Sequence, residues 1–427
     1  MAISDTGVVC AGPSEEEINQ SGSEIGPPKP NSLALRILRT VPELEEIRDV
    51  WSLWCDDPNA DMEQYLTSAR YRADFVRPHV MVIYRNGRPD CMLVGRLERC
   101  RLKLKVGYTT LFEPQIRRLF FLQGGFFGNT TPENSLFLTQ GLRECLRGGE
   151  AEHVEFARLT KDSHLYKAAE SEFDFLQRGH FTPLHEHRWL ELPENFEEFL
   201  KGLPRKNRHE LRRHDRKFSE DFSQRTHIRC CRLEEEVDEL AQEVEKVAAK
   251  TYQRALGVGF RPDPEIVELL RTTARQGGLR GCVLYVDDQP CAFFIGKQYR
   301  TTFHGYFMGF DPQYGKYSPG LLVLMHCIEE CFDPHMRATQ FDLGWGDRQY
   351  KRVICNQSKQ DGPLYLYALS GVGLRLNVLR SLTSFLDLTA REMVARSPFI
   401  RKLKRAWQES LQRPPSEARS PTQKCFE

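Results

Sequence analysis

The order helix, hairpin, strand, helix, strand occurs twice along this chain, and no other feature limits its folding so closely. In the first copy the apolar spacing predicts a helix over 42–54, opening behind a proline. Strands at 79–84 and 91–98 flank Asn86-Gly87, a dipeptide suited to a two-residue hairpin turn. Strands at 101–108 and 116–121, a helix at 134–147, a strand at 153–158, a helix at 163–171 and a strand at 187–192 complete it. The second copy predicts helices at 234–252 and 264–276, then a hairpin of 279–286 and 291–298 about Asp287-Asp288-Gln289-Pro290. A strand at 301–310, a helix at 319–331 and strands at 340–343 and 365–369 follow. The copies share no evident sequence identity. Helices mixed with hairpins predict an α/β chain, more narrowly an α+β mixed sheet with helices on its faces.

These signals divide the chain into a tail over 1–31, a first domain over 32–193 and a basic connecting helix over 194–225. A second domain over 226–372, a helical segment over 373–411 and a second tail over 412–427 follow. The tails are rich in Ser, Glu, Gly and Pro, a composition that buries too little apolar surface to offset the entropy of ordering. Charge excludes some partners. With 60 basic and 59 acidic residues the net charge is +1, so no global field draws the chain to nucleic acid or an anionic membrane. The 13 cysteines are scattered and form no CxxC pair, which predicts neither a metal site nor a disulfide framework, but reduced thiols. The start lacks the basic and apolar regions of a signal peptide, and no apolar run approaches the roughly 20 residues that span a bilayer. A cytoplasmic protein is the expectation.

Residues 301–357 carry the densest chemistry. A strand ending at Phe310 leads into a loop with Gly315, Lys316, Tyr317 and Ser318, and a helix opens at Pro319 with Gly320 and Leu321 in its first turn. Ser318 suits the N-cap and Pro319 the first helical position. Such a helix start presents backbone N–H groups and the positive end of a dipole, which suit a pyrophosphate, or it is an ordinary turn. Further on, Asp342, Asp347, Tyr350 and Lys351 cluster past a strand end beside Gly344 and Gly346. Ligands bind at such ends in α/β sheets, although Asp347 and Lys351 also have the spacing of a helical ion pair. His304 lies on the preceding strand, where buried structural histidines are also common. Seven basic residues within 205–217 suit phosphates, but Glu210, Asp215 and the apolar pair Leu211 and Phe218 favour a solvated helix face. Phe120 and Phe121 read as core, whereas Phe126 and Phe127, beside Gly124-Gly125, suit either core or a cleft wall.

The arrangement Tyr306, Tyr317-Ser318-Pro319-Gly320, Phe341-Asp342, Gly346-Asp347 and Tyr350-Lys351 resembles the BioF2-like (CelD-type) acetyltransferase domain of the GNAT superfamily. The segment from Leu203 to Arg213 resembles the leading helix of that domain, so the likeness covers about 195–370. The first half resembles, by its pattern of elements alone, the companion half of such proteins and of FemAB-like transferases. The resemblance implies tandem GNAT-like domains and N-acyl transfer from acetyl-CoA to an amine, an amino sugar or a polysaccharide precursor. It implies no metal. By it, Lys316, Ser318, Gly320 and Leu321 hold the cofactor, although the loop from Gln313 to Gly320 departs from the commonest spacing. His304 is then the candidate base, Asp342 or Asp347 positions the amine, and Tyr317 or Tyr350 donates a proton. Tyr306, Lys351, Arg205 and Asn207 are the candidate substrate contacts. Two alternatives stand beside this: an aminoacyl-tRNA-dependent transferase, which would employ the basic helix, and a non-catalytic scaffold.

Overall fold

The computed structural model describes residues 32–396 except 108, 252–253, 255–258 and 337. The two tails, the expected helix end at Tyr252 and residues 397–411 of the C-terminal segment lie outside the described residues.

In the first half β1 (Leu33–Leu38) precedes helices α1 (Val41–Glu45), α2 (Arg48–Trp54) and α3 (Met62–Tyr71). The single helix expected over 42–54 is thus two, because the α1 turn ends at Glu46 and a new one starts at Arg48. Strands β2 (Phe75–Arg85) and β3 (Arg88–Arg101) form the expected hairpin. Its turn residues Asn86 and Gly87 take φ of 53° and 78°, the left-handed geometry that a tight hairpin requires. The strand expected over 101–108 is a short hairpin instead, β4 (Leu104–Val106) with β5 (Thr109–Phe112), outside the main sheet. Then come β6 (Gln115–Gly128), α4 (Pro132–Arg147), β7 (His153–Thr160), α5 (His164–Glu172) and β8 (His185–Glu191).

The basic connecting helix expected over 194–225 is interrupted at Pro204, giving α6 (Phe196–Gly202) and α7 (Arg205–Asp221). The second half runs β9 (Thr226–Cys231), α8 (Val237–Ala248), α9 (Pro264–Arg275), β10 (Leu279–Val286), β11 (Gln289–Tyr299) and β12 (Thr302–Phe310). It ends with α10 (Pro319–Glu330), β13 (Gln340–Trp345), α11 (Gln349–Ile354), β14 (Gln357–Tyr367) and α12 (Gly371–Arg396). β14 begins eight residues before the strand expected at 365–369, since its polar first half pairs with β8 and carries no apolar alternation.

Twelve strands among the described residues form one mixed sheet, in the order β1-β2-β3-β6-β7-β14-β8-β13-β12-β11-β10-β9. Each half contributes an antiparallel run closed by a parallel pair, β6 with β7 and β12 with β13. The closing strands are exchanged. β8, expected to finish the first half, pairs with β13 and β14, while β14 pairs with β7. Burial follows the same plan. In the first half α4 and α5 cover one face and α1–α3 the other; in the second, α10 with α6 and α7 opposes α8 and α9. The halves also meet through α3 and α9, where Thr67 and Thr272 hydroxyls lie 3.0 Å apart.

One expectation about the cysteines is corrected. Cys230 and Cys282, directly opposite across β9 and β10, are bonded as a disulfide, while nine others among the described residues are free. Their separation of 52 residues left no local spacing from which to read the pair.

Candidate active site

The parallel pair β12 and β13 is joined only over Thr302–His304 and Gln340–Asp342, after which the strands part. β12 continues as Gly305–Phe310 with its β13-facing edge unpaired. It also carries a bulge, because Gly305 faces Gly296 and Phe307 faces Ile295, leaving Tyr306 as the extra residue. β13 turns away through Gly344 and Gly346, whose φ of 66° and 100° favour glycine. A cavity of about 690 Å³ fills the opening, within the usual range for small-molecule sites. Ser318, Gly320 and Leu321 at the start of α10 line it, as do Tyr306, Tyr350 and Lys351; Asn59 and Gln123 reach in from the first half.

The two halves treat equivalent helix starts differently. In the first, the Thr131 hydroxyl caps α4 by accepting from the Asn134 N–H at 3.3 Å, and the Asn134 side chain donates to Asp90 at 2.8 Å. In the second, Ser318 sits at φ 53° and makes no side-chain cap, so the opening of α10 faces the cavity without one. Of these two helix starts, the second alone lacks a side-chain cap.

At the inner end of the cavity stands a cluster of imidazoles and carboxylates. His304 and Asp342 occupy the last shared rung of β12 and β13, with His304 Nδ1 3.4 Å from Asp342 Oδ2. His304 Nε2 is buried and has no hydrogen-bond partner. His187 on β8 bridges two carboxylates, Nε2 to Asp342 at 2.8 Å and Nδ1 to Asp361 at 3.3 Å. Burial works to lower the His187 pKa, but its bonds to Asp342 and Asp361 prevail and raise it. Burial likewise works to raise the Asp342 carboxyl, and the two imidazoles outweigh it, holding Asp342 well below the usual range. Trp345 Nε1 donates to Asp361, and the Arg158 guanidinium lies 3.7 Å from the Trp345 ring centre.

His304, Asp342, Arg158 and Gln123 also line a second cavity of about 590 Å³, which opens where β6 and β7 part. Its walls bring Asp56, Asp57, Glu191 and Asp361 together with Trp189 and Phe126. The cluster is thus the wall shared by two cavities, one from each half.

The structure gathers His304, Tyr306, Ser318, Gly320, Leu321, Asp342, Tyr350 and Lys351 around the first cavity, and corrects the roles of the others. Asp347 is exposed and paired with Arg352 and Arg188, outside the lining of either cavity. Tyr317 is buried beneath α7 with its hydroxyl on Asp221, and Lys316 lies over its ring on the surface. Neither reaches the cavity lining. Arg205 and Asn207 sit on α7, also away from it; Arg205 shares a shallow surface depression with Lys206, His209 and Arg213. Lys351 lines the cavity, but its ammonium is spent on the Leu343, Gly344 and Trp345 carbonyls, and burial lowers its pKa to about 8. It is a clamp on the end of β13, not a free substrate contact. His187, Arg158 and Asp361 escaped the sequence reading. His187 and Asp361 enter the site only through the strand exchange, and no local pattern signals that.

Residues 205–352 match the sequence model of the Acetyltransferase (GNAT) domain. The fold is similar to that of FemX, with a TM-score of 0.52 at 9% identity over 76% of this chain and 95% of that one. A tandem GNAT protein from the clavulanic acid biosynthesis pathway aligns with a TM-score of 0.47 at 10% identity, over 80% of this chain and 100% of that one. A conserved protein of unknown function from Bacteroides thetaiotaomicron VPI-5482 aligns at 0.46 and 12% identity, over 75% and 97%. Among curated proteins none matches the sequence. The domain match supports acyl transfer as the class of chemistry. No helix among the described residues is long and apolar enough to cross a membrane.

Proposed function

We propose that the chain is an N-acyltransferase of the CelD-type group, which takes an acyl group, acetyl in the simplest case, from acyl-CoA. The uncapped start of α10 opening onto a cavity that ends at His304 carries this reading. A thioester donor supplies the activated acyl carbon. The chain supplies the rest. The backbone N–H of Gly320 faces the donor's diphosphate, while that of Leu321 closes the first turn on the Ser318 carbonyl at 2.9 Å. The unpaired edge of β12 around the Tyr306 bulge offers backbone donors to the oxygen that gains charge in the transition state. Asp342 stands at His304 Nδ1, which favours the tautomer with its lone pair on Nε2, and this nitrogen takes the proton from the attacking amine. Tyr350, in the cavity wall, is the candidate to return a proton to the leaving thiolate.

The amine enters through the second cavity. Asp56, Asp57 and Glu191 offset Arg158, Arg300 and Lys359 in its walls, and Trp189 beside Glu191 and Asp361 offers an aromatic face with a polar rim, which suits an amino sugar or a polysaccharide precursor. Nine free cysteines against one disulfide among the described residues favour a reducing, cytoplasmic setting.

The test is release of free thiol from acetyl-CoA in the presence of amino sugars and simple amines. Amine-dependent release supports the reading, and no release with any acceptor removes it. The exposed basic face of α7 favours one other donor, an aminoacyl-tRNA. Acyl transfer from charged tRNA with none from acetyl-CoA, together with steeply salt-dependent tRNA binding, establishes that donor instead.

A further inference from the structure

Further along α10, toward its C-terminal end, four ligating side chains converge. Cys230 on β9 and Cys282 on β10 face each other at the sheet edge. His326 and Glu330, one helical turn apart on α10, lie over them. His326 Nε2 is 3.6 Å from Cys230 Sγ and 4.0 Å from Glu330 Oε1, and Glu330 Oε2 is 3.9 Å from Cys282 Sγ. All four donor atoms lie within 4.8 Å of one another. Tetrahedral zinc with Zn–S and Zn–N bonds of about 2.3 and 2.0 Å sets its donors about 3.3–3.8 Å apart; the 3.6 and 3.9 Å contacts to sulfur are close to this, and the bonded sulfurs move apart on reduction. Arg232 holds the other Glu330 oxygen at 2.6 Å, fixing the carboxylate with Oε2 turned to the thiol pair.

The chemistry of the donors is as specific as their placement. Two thiolates, an imidazole and a carboxylate suit zinc. The pair is bonded in this structure while the nine other described cysteines are free, which distinguishes it from a general disulfide framework. Among the described residues one disulfide stands beside nine free thiols, the pattern of a redox-active pair in a reducing compartment. Cys230 and His326 are partly exposed, so metal and oxidant both have access.

We propose that Cys230, Cys282, His326 and Glu330 form a peroxide-sensitive zinc site, filled in the reduced chain and dismantled by formation of the Cys230–Cys282 disulfide. One thiolate attacks hydrogen peroxide, breaking the O–O bond to give a sulfenic acid and hydroxide. The second thiolate attacks that sulfur and expels hydroxide. In sum, two thiolates and one peroxide yield one disulfide and two hydroxides; each thiolate sulfur loses one electron and the peroxide gains two. Zinc leaves with its two sulfur donors. The reduced site pins α10, whose other end opens onto the acyl-donor cavity, to the edge strands of the sheet.

The experiment uses the full chain, reduced and handled without oxygen, with zinc content measured after dialysis against a weak chelator. One equivalent per chain is expected, with loss in Cys230→Ser/Cys282→Ser and affinity weakened about tenfold or more in His326→Ala. Hydrogen peroxide should release the metal to a colorimetric chelator together with a mass loss of two hydrogens from the reduced chain. His326 is partly exposed, so its variant tests the site without emptying the core. Equal zinc content in the wild-type and double-serine proteins overturns the proposal, as does zinc retained after the disulfide has formed.

Discussion

His304 and Asp342 sit side by side on the last rung that β12 and β13 share, with His304 Nδ1 3.4 Å from Asp342 Oδ2. The strands separate immediately beyond them, so the pair that closes the sheet also floors the cavity. A base held there by a carboxylate needs no loop to position it.

His304→Gln should lower kcat for acyl transfer by about 10²–10⁴-fold while changing KM for acetyl-CoA little, because removing a general base costs turnover and not donor binding. Steady-state thiol release checks this. Wild-type kcat would remove His304 from the mechanism.

Asp347→Ala should leave kcat and the melting temperature near wild type. Its carboxylate is held low first by Arg352, then by other contacts including Arg188, and all of these lie on the surface. A large loss of turnover would restore Asp347 to the site.

Gly320→Phe should raise KM for acetyl-CoA at least tenfold with little change in stability. A Cβ at Gly320 meets Phe310 at 3.4 Å, ordinary contact, so the added ring must extend into the cavity mouth. Kinetics and thermal melting on the same preparation separate the two effects.

Lys351→Met should cost about 1–3 kcal/mol in chemical denaturation, because the Leu343, Gly344 and Trp345 carbonyls lose their shared donor. An unchanged midpoint would show that those carbonyls find other partners.

The pH dependence of stability carries a sign. The folded His187 pKa is raised above 6.5, so its contribution is complete below that value and is lost as pH rises through the folded pKa. Wild-type stability should therefore fall, relative to His187→Gln, as pH rises from just below 6.5. Parallel stability curves for the two proteins would show that His187 does not carry the charge.

Much of the sheet was legible because hairpins announce themselves locally. Asn86-Gly87 and Asp287-Asp288 mark their turns by residue type, and both pairs take positive φ. The exchange of β8 and β14 was not legible, since nothing in 185–191 states which half it will pair with. That one topological fact brings His187 and Asp361 to Asp342. Proximity in sequence misled in the other direction. Asp347 and Lys351 stand close to Asp342 along the chain, yet the turn through Gly344 and Gly346 sends the first to the surface and the second beneath the strand end. Lys316 and Tyr317 sit in the expected loop, but the left-handed Ser318 turns the cavity side to Gly320 and Leu321 and packs Tyr317 under α7.

Titration calorimetry of the wild-type protein and Gly320→Phe with acetyl-CoA tests the central claim most directly. Saturable one-to-one binding by the wild type, weakened at least tenfold in the variant, is the predicted result. No heat at millimolar acetyl-CoA, or equal binding by both proteins, would contradict a donor seated at the start of α10.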